Sequence, residues 1–457
     1  MLFNADKNLT TRVHRQRWSL SGERVEIKDH YKYLGADIQQ NISKWSPHLN
    51  VLIAQARRRS LDLAWLCGRN EGLRPRSACT MWKAIIRPTL EYAAELWAGD
   101  VTKEAAAKAE QIQTNFAKSI LGLRSHQGIS NHFLRAELGL EPLAARWEKL
   151  RLGYWRRLQT ADPRRILVAV ATSRRTDLLH GSRPTRPNWM EGTRLLLQER
   201  HLDQFWLNPP SCATLPKDVW KIKVSELVDA HYDRLRETEM RSMNSMKFYL
   251  LAKQWEETDK FRAAFPGEVG KPGMLTPAAY LDDRHEHIGT RLKLLSRCQQ
   301  LPVLQVVAKD EKWDGVHPTC PMCPSGQAET LPHFLLHCEA YKTPRARLQA
   351  CLARELPNPH TFSDMELTGL LLGGRATHAE AEEALDYEAK RFLKKAWRIR
   401  KPVTRFLNNK LCRSDPLERR GTLVTRSRAK DSCSTWPHAA PRTGHPTSPF
   451  LPHRREF

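Results

Sequence analysis

Ser46-Pro47-His48-Leu49-Asn50-Val51-Leu52-Ile53-Ala54-Gln55-Ala56-Arg57-Arg58-Arg59-Ser60-Leu61-Asp62-Leu63 decides the fold class. Ser46 is a good N-cap, and Pro47 fits the first helical turn, where a missing N–H is no loss. Leu49, Leu52, Ile53, Ala56, Ser60 and Leu63 recur at helical spacing and line one face. Arg57, Arg58 and Arg59 cannot all point one way, so at least one meets solvent or phosphate. Toward the N-terminus the pattern is that of strands. Trp18-Ser19-Leu20 and Arg24-Val25-Glu26-Ile27 flank a Ser21-Gly22 turn and predict a hairpin. Tyr31-Lys32-Tyr33-Leu34-Gly35-Ala36-Asp37-Ile38 reads as one strand, with Gly35 marking a bend or a close backbone approach.

Toward the C-terminus helices follow one another. After a loop with Gly68, Gly72 and Pro75, Met81, Trp82 and Ile85 predict a helix that stops at Arg87-Pro88. Residues 90–97 predict another short apolar helix. Thr102 caps a long helix with Ala106, Ala109, Ile112, Gln113, Phe116 and Ile120 on its face, and Gly122 ends it. Ser130 starts a helix stopped by Gly139. Pro142 opens the next, with stripe Leu143, Trp147, Leu150, Tyr154 and Leu158 and with Arg146, Lys149, Arg151, Arg156 and Arg157 on its other faces. The fold class is mainly α: a short N-terminal β-hairpin and strand, a basic helical bundle, a helical connector, a small zinc knuckle and a disordered tail.

The formal net charge is +24, with 40 % hydrophobic residues over 457 positions. The chain is long enough for two or three cored domains. Its charge points to a polyanion, nucleic acid by default. No run of about 18 uncharged apolar residues occurs, which argues against a membrane partner, and the start of the chain turns polar at once, unlike a signal segment. The ten cysteines lack a disulfide-like pattern, so a reducing compartment is expected.

One cysteine group is ordered. Cys320-x2-Cys323-x9-His333-x4-Cys338 offers three thiolates and an imidazole, the N/S set that a tetrahedral structural Zn2+ takes. Its second half looks helical, which would bring His333 and Cys338 near one face. His337 competes as a ligand but adjoins Cys338. The plainer reading is buried thiols beside a surface histidine, and Cys298 and Cys351, without paired spacing, read that way.

Three blocks together resemble a family. Residues 31–35 with Trp45 and His48, then Ile86-Arg87-Pro88-Thr89-Leu90-Glu91-Tyr92-Ala93-Ala94-Glu95-Leu96-Trp97, then Glu110, Gln111, Ile120-Leu121-Gly122 and Glu137-Leu138-Gly139-Leu140 with Pro142-Leu143 look like the segment after the polymerase palm in reverse transcriptases of non-LTR (LINE-type) retrotransposons. The Cys-Cys-His-Cys set fits the C-terminal knuckle of that family, preceded by Ala328-Glu329-Thr330 and followed by Tyr341 and by Arg345 or Arg347. The resemblance spans residues 1–158 and 280–350 and is weaker between.

The resemblance implies a division into 1–45, a palm remnant with a primer-grip-like strand; 46–160, a thumb-like bundle; 161–284, a basic connector; 285–351, the knuckle region; 352–412, C-terminal helices; and 413–457, the tail. It implies an RNA-directed DNA polymerase acting by target-primed synthesis, with template–primer, element RNA and target DNA as partners, in nucleus or cytoplasm. Its nucleic-acid contacts would come from Tyr33, Gly35, Arg57, Arg58, Arg59, Lys83, Arg87, Arg146, Lys149, Arg151, Arg156, Arg157, Lys394, Lys395, Arg398 and Arg400. The two Mg2+ ions of polymerase chemistry sit on palm carboxylates, expected before Met1, so this chain alone is expected to bind and not polymerise. The other reading is a stand-alone zinc-dependent RNA- or DNA-binding protein.

Other motifs are weaker. Tyr280-Leu281-Asp282-Asp283 matches the polymerase hairpin by letter, but Pro272, Gly273 and Pro277 precede it and it follows the bundle; helix capping is the better reading. His285-x-His287 reads as a solvated turn, and Asp364, Glu366, Glu380, Glu382, Glu383 and Asp386 form no nuclease pattern. Arg164-Arg165, Arg174-Arg175 and residues 184–187 read as basic surface. Trp220, Leu227, Tyr249, Leu250 and Leu251 are core candidates, and Leu292, Leu294, Leu295, Leu301 and Leu304 lead beneath the knuckle. Leu385, Ala389, Phe392, Leu393 and Ala396 form a last stripe, with Lys390, Lys394 and Lys395 outside it and Trp397, Arg405 and Phe406 beyond. From residue 413 the composition predicts disorder.

Overall fold

The computed structural model describes residues 18–25, 28, 30–39, 45–67, 73–123, 128–181, 188–254, 277–282, 287–309, 316–356, 358–373 and 379–403. Residues 4–7, Glu26, Ile27, Gly68, Gly72, residues 184–187, Asp283, His285, Arg405, Phe406 and the 413–457 tail lie outside the described residues. The protein is mainly helical, with two short antiparallel hairpins at the N-terminal end.

β1 (Ser19–Leu20) pairs with β2 (Glu23–Arg24) across Ser21 and Gly22. The expected single strand over residues 31–38 is instead a hairpin, β3 (His30–Tyr33) against β4 (Ala36–Gln39). Leu34 and Gly35 take φ of 47° and 87°, which folds the chain back on itself. Gly35 is also a close approach: a Cβ there would lie 2.9 Å from the Tyr92 hydroxyl, which donates to the Leu34 carbonyl.

α1 (Ser46–Cys67) buries Leu49, Leu52, Ala56, Ser60 and Leu63 against α5 (Lys103–Ile120), whose first turn is capped by Thr102. The helix expected to stop at Arg87 continues. α2 (Pro75–Met81) passes through a π turn (Trp82–Ile86) into α3 (Arg87–Leu90). Pro88 would clash with the Ala84 carbonyl in a straight α-helix. The wider turn, closed by Arg87 N–H on the Trp82 carbonyl, relieves that. The expected helix over residues 90–97 is broken instead by Ala93, at φ 56°, before α4 (Ala94–Trp97).

α6 (Asn131–Leu138) leads to α7 (Leu143–Gln159). The sequence shows one apolar stripe on α7, yet two faces are buried. Leu143 and Trp147 join the main core, while Ala145, Leu152 and Trp155 join a second core with Leu197, Trp206 and Trp220. That second core is built by α8 (Ile166–Leu179), α9 (Trp189–Glu199), α10 (Gln204–Leu207), α11 (Pro210–Thr214) and α12 (Lys217–Ser242).

The main core continues through α13 (Lys247–Gln254), α14 (His287–Arg297), α16 (Lys342–Glu355), α17 (Asp364–Leu372) and α18 (Ala379–Ile399), while the buried Leu304 and Val307 of α15 (Leu304–Val307) form a small cluster of their own. A peg at residues 277–282 ties these helices to the bundle. Tyr280 is buried; its hydroxyl donates to Glu137 Oε2, and its carbonyl accepts from Lys390 Nζ at 2.8 Å. Burial, with Glu137 beside it, pushes the Tyr280 phenol well above its ordinary pKa. Tyr280 of that four-residue match thus serves packing. Periodicity places Lys390 outside its helix; the structure buries it, because Asp386 and the Tyr280 carbonyl satisfy its ammonium.

Gly289 sets the crossing of α14 with α18. A Cβ there would lie 2.4 Å from the Lys390 carbonyl oxygen and 2.7 Å from its Cβ, a backbone contact that no rotamer change relieves. Gly289→Ala should therefore cost about 1–3 kcal/mol. A urea midpoint equal to that of the parent protein would refute this crossing.

Candidate metal centre

The knuckle begins as a two-strand turn. Thr319 bridges Ala328, Cys320 N–H donates to the Gln327 carbonyl at 2.8 Å, and Glu329 N–H donates to the Pro318 carbonyl at 2.7 Å. Cys320 and Cys323 lie on the loop so closed. The second half is a π turn, His333–His337, with Cys338 N–H on the His333 carbonyl at 2.8 Å. This corrects the sequence argument. On an ordinary α-helix, residues five apart point about 140° away from each other. The wider π turn brings His333 and Cys338 onto one side.

The four ligand atoms of Cys320, Cys323, His333 and Cys338 all lie within 4.8 Å of one another, so the cluster can hold a metal ion. Cys320 Sγ and Cys338 Sγ are 3.8 Å apart, and Cys323 Sγ and His333 Nε2 are 3.4 Å apart. A tetrahedral ion about 2.3 Å from each sulfur requires S–S edges of about 3.8 Å and slightly shorter S–N edges. Those two edges match that polyhedron, and every other pair of ligand atoms lies within 4.8 Å.

The surroundings pull the three thiols in opposite directions. The backbone N–H groups of Met322, Ser325 and Ala340 work to lower the pKa of Cys320, Cys323 and Cys338 respectively, against the burial of those thiols. Burial pushes the Cys338 thiol up to about 12 and raises that of Cys320. For Cys323, at the edge, partial burial works upward, but hydrogen bonds from the Ser325 hydroxyl and amide hold the thiol below its usual value. Burial lowers the His333 pKa, favouring the neutral ring. His333 Nδ1 donates to Gln327 Oε1 at 3.1 Å, which turns the Nε2 lone pair toward the sulfurs.

A buried frame holds the centre. Arg400 forks onto Glu329 with both hydrogen bonds at 2.6 Å, and both side chains are fully buried. Glu329 Oε2 also accepts from Leu304 N–H at 2.7 Å. Arg345 donates to the carbonyls of Leu335 and Cys338, each at 2.8 Å. Tyr341 packs on Phe334 with ring centroids 5.0 Å apart. Tyr341 and Arg345, expected after a knuckle that faces nucleic acid, are therefore buried supports, and Arg347 is the exposed one of the three. His337 is not in the cluster; it is exposed and pairs with Asp364 at 2.7 Å. Ser325, Gln327 and Arg400 are functional supports that spacing alone does not reveal.

The candidate nucleic-acid residues divide. Tyr33, Gly35, Arg57, Arg58, Arg59, Arg157, Lys395 and Arg398 are exposed, and Lys83 and Lys394 are half-buried. Arg59 donates to Thr89 Oγ1, and Arg157 lies over the Tyr154 ring at 5.3 Å. The others have partners within the protein. Arg87 and Arg146 share Glu91 at 3.4 and 2.9 Å, Lys149 pairs with Asp229 at 2.6 Å, and Arg156 donates to the Leu215 carbonyl. Arg151 is buried, donating to Thr193 Oγ1 and the Trp189 carbonyl. Arg400 is committed to Glu329. Carboxylates and carbonyls take these charges because α7 and the last helix are buried on more than one side.

No helix among the described residues is long and apolar enough to cross a membrane. No protein-family model, no curated protein and no solved structure matches the chain.

Proposed function

We propose that the knuckle ion is structural zinc and that the chain is the nucleic-acid-binding C-terminal part of a non-LTR retrotransposon reverse transcriptase. On this reading the bundle and the knuckle hold template and primer, and the polymerase carboxylates belong to a palm that precedes this segment. Zinc suits a closed set of three thiolates and one imidazole with no open position, a structural rather than a catalytic pattern.

The nucleic-acid reading is carried by one observation. After the internal carboxylates have taken their partners, Arg57, Arg58, Arg157, Lys395 and Arg398 remain exposed without a carboxylate among the described residues, in a chain of net charge +24. Phosphate is the partner that such a surplus takes regardless of sequence. With about five phosphate contacts, affinity for a nucleic acid should fall roughly 500-fold between 50 and 200 mM salt. Fluorescence anisotropy with a labelled template–primer measures it, and a flat salt response would sink the reading. The chain by itself should extend no primer; steady metal-dependent extension by the pure protein would overturn that part.

A further inference from the structure

The outer face of α1 carries a feature that phosphate binding alone leaves unused. Val51, Arg58 and Trp65 stand seven residues apart, two helical turns each, so they share one line along the helix. That line lies opposite the buried one. Val51, Leu61 and Trp65 are 42 %, 64 % and 60 % exposed, although each is a large apolar side chain. Arg57 and Arg58 sit among them, exposed and with no carboxylate among the described residues, and Arg59 reaches the Thr89 hydroxyl.

We propose that this face is a seat for single-stranded nucleic acid, with the phosphates on Arg57 and Arg58 and a base stacked on Trp65. The inference rests on the nucleic-acid reading above and specifies the strand state. A duplex offers this face phosphates but no exposed base plane for an indole. A protein partner that covered Val51 and Trp65 would have to desolvate Arg58 between them. An unpaired strand supplies a charge for each arginine and a π-face for the indole at once.

The test uses the full chain and two labelled probes, a 12-nucleotide single strand and the corresponding 12-base-pair duplex, by fluorescence anisotropy. Trp65→Ala should weaken single-strand binding by about 10-fold or more, while duplex binding moves less than about twofold. Trp65→Phe, which keeps a stacking ring, should restore most of the loss. A 5-bromouracil-substituted single strand should photo-crosslink to the peptide containing Trp65. If the parent protein binds neither probe, the nucleic-acid reading falls and takes this one with it. If it binds both probes and Trp65→Ala leaves single-strand affinity unchanged, the nucleic-acid reading stands and this seat is wrong. Equal losses for both probes, or no recovery with phenylalanine, would also overturn it.

Discussion

Exchanging Cys320 and Cys323 for serine should empty the knuckle of its ion, taking the metal content from about one per chain to near zero. Serine keeps the size but not the soft thiolate, so two of the four ligands go, including the buried Cys320. The Cys320–Cys323 loop itself is closed by one β-bridge and a few backbone hydrogen bonds, while the buried frame of Glu329, Arg345 and Arg400 lies beside it. Structural zinc contributes about 10–16 kcal/mol of apparent binding free energy in small zinc folds at neutral pH. Its loss should therefore exceed what the loop's own contacts supply. Phe334, Leu335 and Tyr341 belong to the main core, so the loss should spread into the C-terminal helices. The bundle around α1 and α5 has its own capped helices and the Trp82–Phe116 stack. Hydrogen exchange should thus show deprotection across residues 316–356 and 379–403, with the α5 amides still protected. Elemental analysis of the purified variant decides the ligand assignment: unchanged zinc would refute it. Zinc should also leave the parent protein as pH falls, because the metal competes with protons for the same thiolates and imidazole.

Much of this was open to reading from the residues. The α1 stripe, the Thr102 and Ser130 caps and the stripe of α18 follow from a 3.6-residue period and hydrogen-bonding side chains, both local properties. The Cys-Cys-His-Cys cluster was also legible, because a group able to hold a metal ion writes its donor types and their order into the chain. The reason for its geometry was not. His333 and Cys338 meet through a π turn, and Pro88 is absorbed by another, and a 3.6-residue periodicity does not show where a helix widens. The fate of the arginines was the least legible. Arg57 and Arg151 both lie in basic helical stretches, yet one faces solvent and the other lies between Gly99 and Gly192, where a Cβ would collide with its guanidinium. Which helix is sandwiched between two cores is a tertiary fact, absent from any window of α7 alone.

Glu329→Gln should be the most damaging single change outside the ligands. Glu329 and Arg400 are 0 % exposed, and the two 2.6 Å hydrogen bonds between them are the charge compensation of the guanidinium. An amide can accept from Arg400 only in part, and it takes the carboxylate's negative charge from beside a buried cation. Breaking such a pair from one side costs about 3–5 kcal/mol. The same substitution disturbs the Leu304 amide, which also depends on this carboxylate. Arg400 ends the helix that packs on α16, and Glu329 begins the turn leading to His333. The pair therefore links the metal loop to the last helix. Replacing both residues by methionine should cost less than the sum of the two single replacements, because no charge is then left buried. Urea unfolding of the two single methionine variants and the double variant would measure that coupling, which should reach at least about 2 kcal/mol. Additive costs would mean that the pair does not act as a unit, and that the knuckle is held by its metal and its apolar contacts alone.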